Sequence, residues 1–177
     1  MLTSLVGSEM CIRDRSPIIQ RELIKHKQAV GVILYDAKNE LVGIIEQFRV
    51  GALGRSSNPW QFEIVAGMVE KNEILENVAI REVQEETGLT LSDIQPILSY
   101  LPSAGASNER MHLFCGSARL LDKGGIYGLA SENEDIKLHI FPFNDALEGL
   151  ADGLFDSAAS IIALQWLEKN RHQMKSA

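Results

Sequence analysis

Residues 67 to 89 read GMVEKNEILENVAIREVQEETGL, and the reading of this stretch decides the rest. Gly67 is followed after five residues by Glu73, and after seven more by Arg81-Glu82-Val83-Gln84-Glu85-Glu86-Thr87-Gly88-Leu89. The spacing predicts an amphipathic helix from about Ile74 to Thr87. Ala79, Ile80, Val83 and Thr87 fall on one side of it, and Gly88 suits the left-handed position that ends a helix. Glu82, Glu85 and Glu86, three and four residues apart, then stack on a different side. Three carboxylates on neighbouring turns repel one another unless a cation sits among them. Oxygen-only ligands suit Mg²⁺, which keeps several waters and shares its remaining positions with substrate phosphates. The plainer alternative is a solvated acidic face with Arg81 as its internal counterion.

Seven of these positions carry a fixed residue type and two more an apolar one, and in this the stretch resembles, without departure, the signature of the Nudix hydrolases. With each fixed type near ~6% of average composition, a chance match is on the order of 10⁻⁹ per start position. The resemblance implies an α+β protein, an α/β/α sandwich around a mixed β-sheet. It also implies Mg²⁺, with Mn²⁺ as a substitute, held by Glu82, Glu86 and the backbone carbonyl of Ala66, just before the loop that opens at Gly67. Glu85 then belongs to the catalytic set, either as a third ligand or as a partner of Arg81. Glu73 orients its neighbours.

Composition is compatible with this picture. A chain of 177 residues, 45% hydrophobic, can bury one ordinary core, so a single domain is expected. No apolar run approaches the ~20 residues that span a bilayer. With 17 basic against 24 acidic residues the net charge is −7, which argues against an electrostatically driven nucleic-acid binder. An acidic protein acting on an anionic diphosphate needs metal ions to reverse the local field. Cys11 and Cys115 offer neither zinc spacing nor a disulfide framework, which fits a reducing, cytoplasmic setting.

Residues 1 to 15, MLTSLVGSEMCIRDR, fit nothing that follows and have no signal-peptide pattern. SLVGSEMCIRDR resembles the in-frame translation of a sequencing-library adapter. The expectation is therefore a non-native segment at 1 to 15 and a single, N-terminally truncated domain from 16 to 177. Ala29 to Tyr35 and Leu41 to Phe48 read as a strand hairpin around the polar turn Asp36-Ala37-Lys38-Asn39. Further strands are expected at Trp60 to Val65, Ile94 to Leu101, Met111 to Leu120 and Ile136 to Phe143. A short helix capped by Asn144 runs to Ala151, and a C-terminal helix covers Ser157 to Arg171. Arg49, at a strand end beside the Gly-rich loop 51 to 59, is placed to meet phosphate. Glu63 reads equally well as an outward strand residue or as a group near the metal. Cys115 reads as a small buried hydrophobe. His112 and His139 have no partner histidine at ligand spacing and read as core or surface residues.

Outside the helix the resemblance narrows. EQFRVGA (46 to 52), PWQFEIVAGMVE (59 to 70), GLASENEDI (128 to 136) and DSAASIIALQWL (156 to 167) are similar to the ADP-ribose diphosphatase subgroup, and the match runs from about Arg21 to Leu167. It implies that Glu132 is the general base and Glu134 a further metal-interacting carboxylate. It implies substrate contacts from Arg21, Glu22, Arg49, Met68, Ser103, Gly105 and Glu109. The subgroup carries Ser-Pro-Gly where this chain has Ser103-Ala104-Gly105, a departure that bears on the sugar pocket. The implied reaction is ADP-ribose plus water giving AMP and ribose 5-phosphate, by a homodimer whose N-terminal strands cross to the partner. Rival readings are a diphosphatase for another nucleotide sugar such as GDP-mannose, or for NADH, and a sensor that binds ADP-ribose without cleaving it. The intact set of helix carboxylates speaks against the sensor.

Overall fold

In the computed structural model, residues 8–10, 19–56, 58–129, 131 and 134–174 are described. Two short strands, β1 (Ser8–Met10) and β2 (Ile19–Arg21), pair antiparallel ahead of the main sheet. β3 (Gln28–Asp36) and β4 (Leu41–Phe48) then form the predicted hairpin. They pair only near their turn, from Leu34 opposite Gly43 to Asp36 opposite Leu41. Beyond that they splay, and a bent strand fills the gap. β5 (Trp60–Glu63) pairs with the far end of β4, and β6 (Val65–Met68) with the first half of β3. Sequence alone suggested one strand from Trp60 to Val65; the structure breaks it at Ile64 and carries it on to Met68. At the break the Ile64 N–H donates to Ser160 Oγ at 3.1 Å, and Ser160 is fully buried, so the kink strands no donor.

β7 (Asp93–Tyr100), β8 (Arg110–Ser117), β9 (Gly125–Tyr127) and β10 (Ile136–Pro142) complete the sheet in the order β7-β8-β3-β4-β10-β9. β8 runs parallel to β3 while its other neighbours are antiparallel, so the sheet is mixed. β9 lies in a stretch expected to be wholly loop; its three residues are too few to show a period. Edge strand β7 shifts register between Pro96 and Leu98, which interrupts an otherwise open edge.

Helix α1 (Leu75–Thr87) covers one face of the sheet, and α2 (Phe143–Ala151) and α3 (Ala158–Asn170) cover the other. Strand alternation divides the core accordingly: Val30, Val32 and Leu34 pack towards α1, Ile33 and Tyr35 towards α2 and α3. Two local expectations are corrected. Val78, not Ile80, takes the inward place on α1, leaving Ile80 44% exposed. α2 starts two residues earlier than the Asn144 cap implied. Pro142 stands at its cap with no side-chain bond, and the buried Phe143 gives its N–H to Glu40 O at 2.8 Å. Cys115 is fully buried, and burial pushes its thiol up to about 12. His139 pairs with Glu46 at 2.8 Å, and His112 lies between Ser99 and Gln28, so both histidines serve the sheet.

Asp36 ends β3 and ties the hairpin together. Buried to 1% exposure, its Oδ1 accepts from the Lys38 and Asn39 N–H groups, and its Oδ2 from Asn39 Nδ2 and from Leu120 N at 3.0 Å. Burial pushes the carboxyl up, but the Asn39 side chain and the three backbone donors outweigh it and hold it below its ordinary 3.8. Asp36→Ala is expected to cost about 2–3 kcal/mol at pH 7, because it strands several donors. A depressed folded pKa gives stability that is fully present above the unfolded value and lost as pH falls below that value and through the folded one. The gap between variant and parent in urea unfolding should therefore narrow from pH 7 to pH 3; a constant gap would assign the cost to packing alone.

Candidate active site

The inward face of α1 is acidic at its centre. At 100° per residue Glu86 projects between Leu75 and Ala79, on the core stripe itself and not on the separate side expected for the three carboxylates. Glu86 is 3% exposed, and its Oε2 accepts from Ala66 N at 3.3 Å. Burial pushes its pKa up to about 8; the Ala66 N–H opposes this, the charges of Glu82 and Glu134 add to it, and Arg49 opposes it again. One turn earlier, the Glu82 side chain lies directly on Gly67: a Cβ at 67 would fall 1.9 Å from Glu82 Cδ. Glu82 is also raised, by burial first, against the pull of Arg81 and with the push of Glu85. Ala66, Gly67, Glu82 and Glu86 thus form one cluster where β6 meets α1.

Arg81 bridges Glu82 and Glu85, at 2.9 Å each. The contact between Arg81 and Glu85 matches one of the two roles the sequence left open for Glu85. Glu73 Oε2 accepts from Glu70 N at 2.7 Å and folds the loop between β6 and α1, in which Asn72 is left-handed at φ 71°. Glu70 also pairs with Lys27. Arg49, just beyond β4, donates from Nε to Glu63 Oε2 on β5 at 2.7 Å. Glu134 accepts from Leu129 N at 3.1 Å. Glu132 lies outside the described residues.

Arg49, Ala66, Met68, Glu82, Glu85 and Glu134 are among the residues that line a cleft of about 500 Å³; Glu86, 3% exposed, and Glu63 are not among its lining. The other residues expected at the substrate are elsewhere. Arg21 and Glu22 are exposed on and just after β2. Ser103, Gly105 and Glu109 sit in the loop between β7 and β8, which is tied to Ile24 and His26 by Ile24 N to Ala106 O and His26 N to Asn108 Oδ1, both 2.8 Å. None of these five lines the cleft; Asn108 and Arg110 line an adjoining hollow of about 760 Å³ together with His26 and Glu73. The role of Glu63 was also left undecided by sequence; the pairing of β4 with β5 is the signal that brings it to Arg49.

Among the described residues no three His, Cys, Asp or Glu side chains converge closely enough to hold an ion unaided. The donors present still fit a hard divalent cation that keeps several waters, since such an ion needs only one or two carboxylates from the protein. Glu86 carries the fit. A carboxyl buried beside two other acids stays protonated near neutral pH unless a cation balances it.

The chain matches the NUDIX domain over residues 25–164, and it belongs to that family. It is 40% identical over 166 residues to the ADP-ribose pyrophosphatase of Haemophilus influenzae, covering 92% of this chain and 76% of that protein. It is 39% identical over 158 residues to the enzyme of the same name from Escherichia coli K12, covering 89% of this chain and 76% of that one. A crystal structure described as an ADP compounds hydrolase superimposes with a TM-score of 0.70 at 16% identity, covering 93% of this chain and 85% of its own, and shares the fold. Among the described residues no helix is long and apolar enough to cross a membrane.

Proposed function

We propose that this protein is a Mg²⁺-dependent diphosphatase that hydrolyses ADP-ribose to AMP and ribose 5-phosphate. The observation that carries the reading is Glu86, buried beside Glu82 against the Ala66–Gly67 backbone, in a chain similar over most of its length to ADP-ribose pyrophosphatases. Glu82, Glu86 and the Ala66 carbonyl would hold the metal, with Glu134 beside them. Mg²⁺, or Mn²⁺ in its place, supplies charge neutralisation at the diphosphate oxygens and a lowered pKa for the attacking water. The residues do the rest. Arg49 presents its guanidinium to the diphosphate, and Arg81 fixes the rotamers of Glu82 and Glu85. Glu73 holds the loop that carries Ala66 and Gly67 into α1. Glu132 takes the proton from the water.

Arg21, Glu22, Ser103, Gly105 and Glu109 belong to this reading as contacts to the nucleoside and sugar. Arg21 and Glu22 stand away from the cleft of their own chain, in keeping with a homodimer in which they serve a shared site. The cysteine pattern favours a cytoplasmic setting. The test is product analysis on a panel of nucleotide sugars and NADH with Mg²⁺. ADP-ribose should be the preferred substrate and AMP a product; no cleavage of any diphosphate with Mg²⁺ or Mn²⁺ would refute the reading. Glu132→Gln should lower kcat about 10²-fold, and a loss below about tenfold moves the base elsewhere.

A further inference from the structure

We infer that Glu63 is a positioning residue: it anchors Arg49 by Nε, keeping the guanidinium off the metal-binding carboxylates and leaving its terminal amino groups free for the diphosphate. This rests on the function proposed above.

Two arginines line the cleft beside Glu70, Glu73, Glu82, Glu85 and Glu134, and they behave differently. Arg81 has both terminal nitrogens occupied, Nη2 by Glu82 and Nη1 by Glu85, at 2.9 Å each. That is the outcome expected of a guanidinium placed among surplus carboxylates. Arg49 faces the same cleft yet bonds outside the cluster, to Glu63 at 2.7 Å. The Glu63 side chain is only 15% exposed, so solvent weakens the pair less than it would an open surface pair.

The strand register explains how the anchor reaches. Arg49 N bonds Pro59 O, Gln47 lies opposite Gln61, and Glu63 lies opposite Ile45. Residues 45, 47 and 49 share the α1 face of the sheet, so the Arg49 side chain must run back along β4, past the Gln47–Gln61 rung, to meet Glu63. Because the contact uses Nε, and among the described residues no hydrogen bond or ion pair engages Nη1 or Nη2, the end-on fork stays available, and that fork is what binds phosphate in bidentate fashion. With the Glu63 charge removed, the guanidinium has as alternatives Asp156, which lines a second hollow with it, and Glu82 and Glu134 of the cleft, where it competes with the cation.

The test compares Glu63→Gln, Arg49→Ala and the double variant in two assays. One is Mn²⁺ binding by electron paramagnetic resonance without nucleotide; the other is KM for ADP-ribose, backed by direct binding of a methylene-bridged ADP-ribose. Glu63→Gln should weaken Mn²⁺ binding about threefold or more and raise KM about tenfold. Arg49→Ala should raise KM comparably with Mn²⁺ binding undiminished. The double variant should bind Mn²⁺ like Arg49→Ala, with no further rise in KM, because Glu63 acts through Arg49. Equal weakening of Mn²⁺ binding by Glu63→Gln with and without Arg49, or no change in either assay, overturns the inference. If Glu63→Gln does not fold, Glu63→Asp, which keeps the charge and shortens the reach, is compared in the same two backgrounds by the same criterion. A parent protein that cleaves no nucleotide sugar sinks the proposed function, while the Mn²⁺ arm still decides the role of Glu63.

Discussion

Glu86→Gln lowers kcat/KM by about 10⁴-fold, as expected for loss of a ligand carboxylate, while the metal-free variant is at least as stable as the parent above neutral pH. The substitution keeps volume and the acceptor for Ala66 N–H, so the packing under α1 survives. Stability follows from the sign of the shift. Glu86 has a folded pKa of about 8 against an ordinary 4.5, so between those values the folded state holds a proton that the unfolded state has released. Its contribution is full below about 4.5 and is lost as pH rises through about 8. Glutamine carries no charge and escapes this loss. Thermal unfolding in chelator from pH 6 to pH 9 should therefore show the variant gaining on the parent as pH rises. Near-native turnover at saturating Mg²⁺ would remove Glu86 from the ligand set. A variant that melts lower at every pH would make the carboxylate chiefly a structural acceptor.

Glu86 also marks the boundary between what the sequence discloses and what only the fold supplies. Helix α1, its left-handed end at Gly88 and most strands were legible because they rest on periods of 3.6 and 2 over many residues. The inward direction of Glu86 was hidden by the assumption that acids share a polar side, although projection alone places it between Leu75 and Ala79. β9 and the break at Ile64 escaped notice for a different reason. Three residues carry no periodicity, and the break depends on a hydroxyl 96 positions away. The position of Arg49 at a strand end beside a Gly-rich loop was readable, but the choice of Glu63 as its partner is fixed by the β4–β5 register. Ser103, Gly105 and Glu109 carry a motif, whereas their distance from the cleft follows from the pairing of their loop with Ile24.

Gly67→Ala should prove nearly as damaging to activity as the loss of Glu86, about 10³-fold in kcat/KM, with a melting temperature within about 2 °C of the parent. Gly67 does not have the positive φ that favours glycine, so alanine fits the backbone there. What alanine lacks is room, since its Cβ would lie 1.9 Å from Glu82 Cδ, 2.1 Å from Oε1 and 2.4 Å from Cγ. All three atoms belong to the outer part of a flexible side chain, so the cheapest relief is rotation of Glu82 away from the Ala66–Gly67 backbone. That rotation costs little stability but breaks the set that Glu82, Glu86 and the Ala66 carbonyl make together. Gly88 is the contrast: at φ 66°, with Tyr127 Cε1 2.9 Å from its would-be Cβ, alanine there strains the backbone and should lower stability. If Gly67→Ala instead melts far below the parent, the strand has yielded and not the side chain. If it keeps full activity and Mn²⁺ affinity, Glu82 need not lie on this backbone, and the assignment of Ala66, Glu82 and Glu86 to one cation fails.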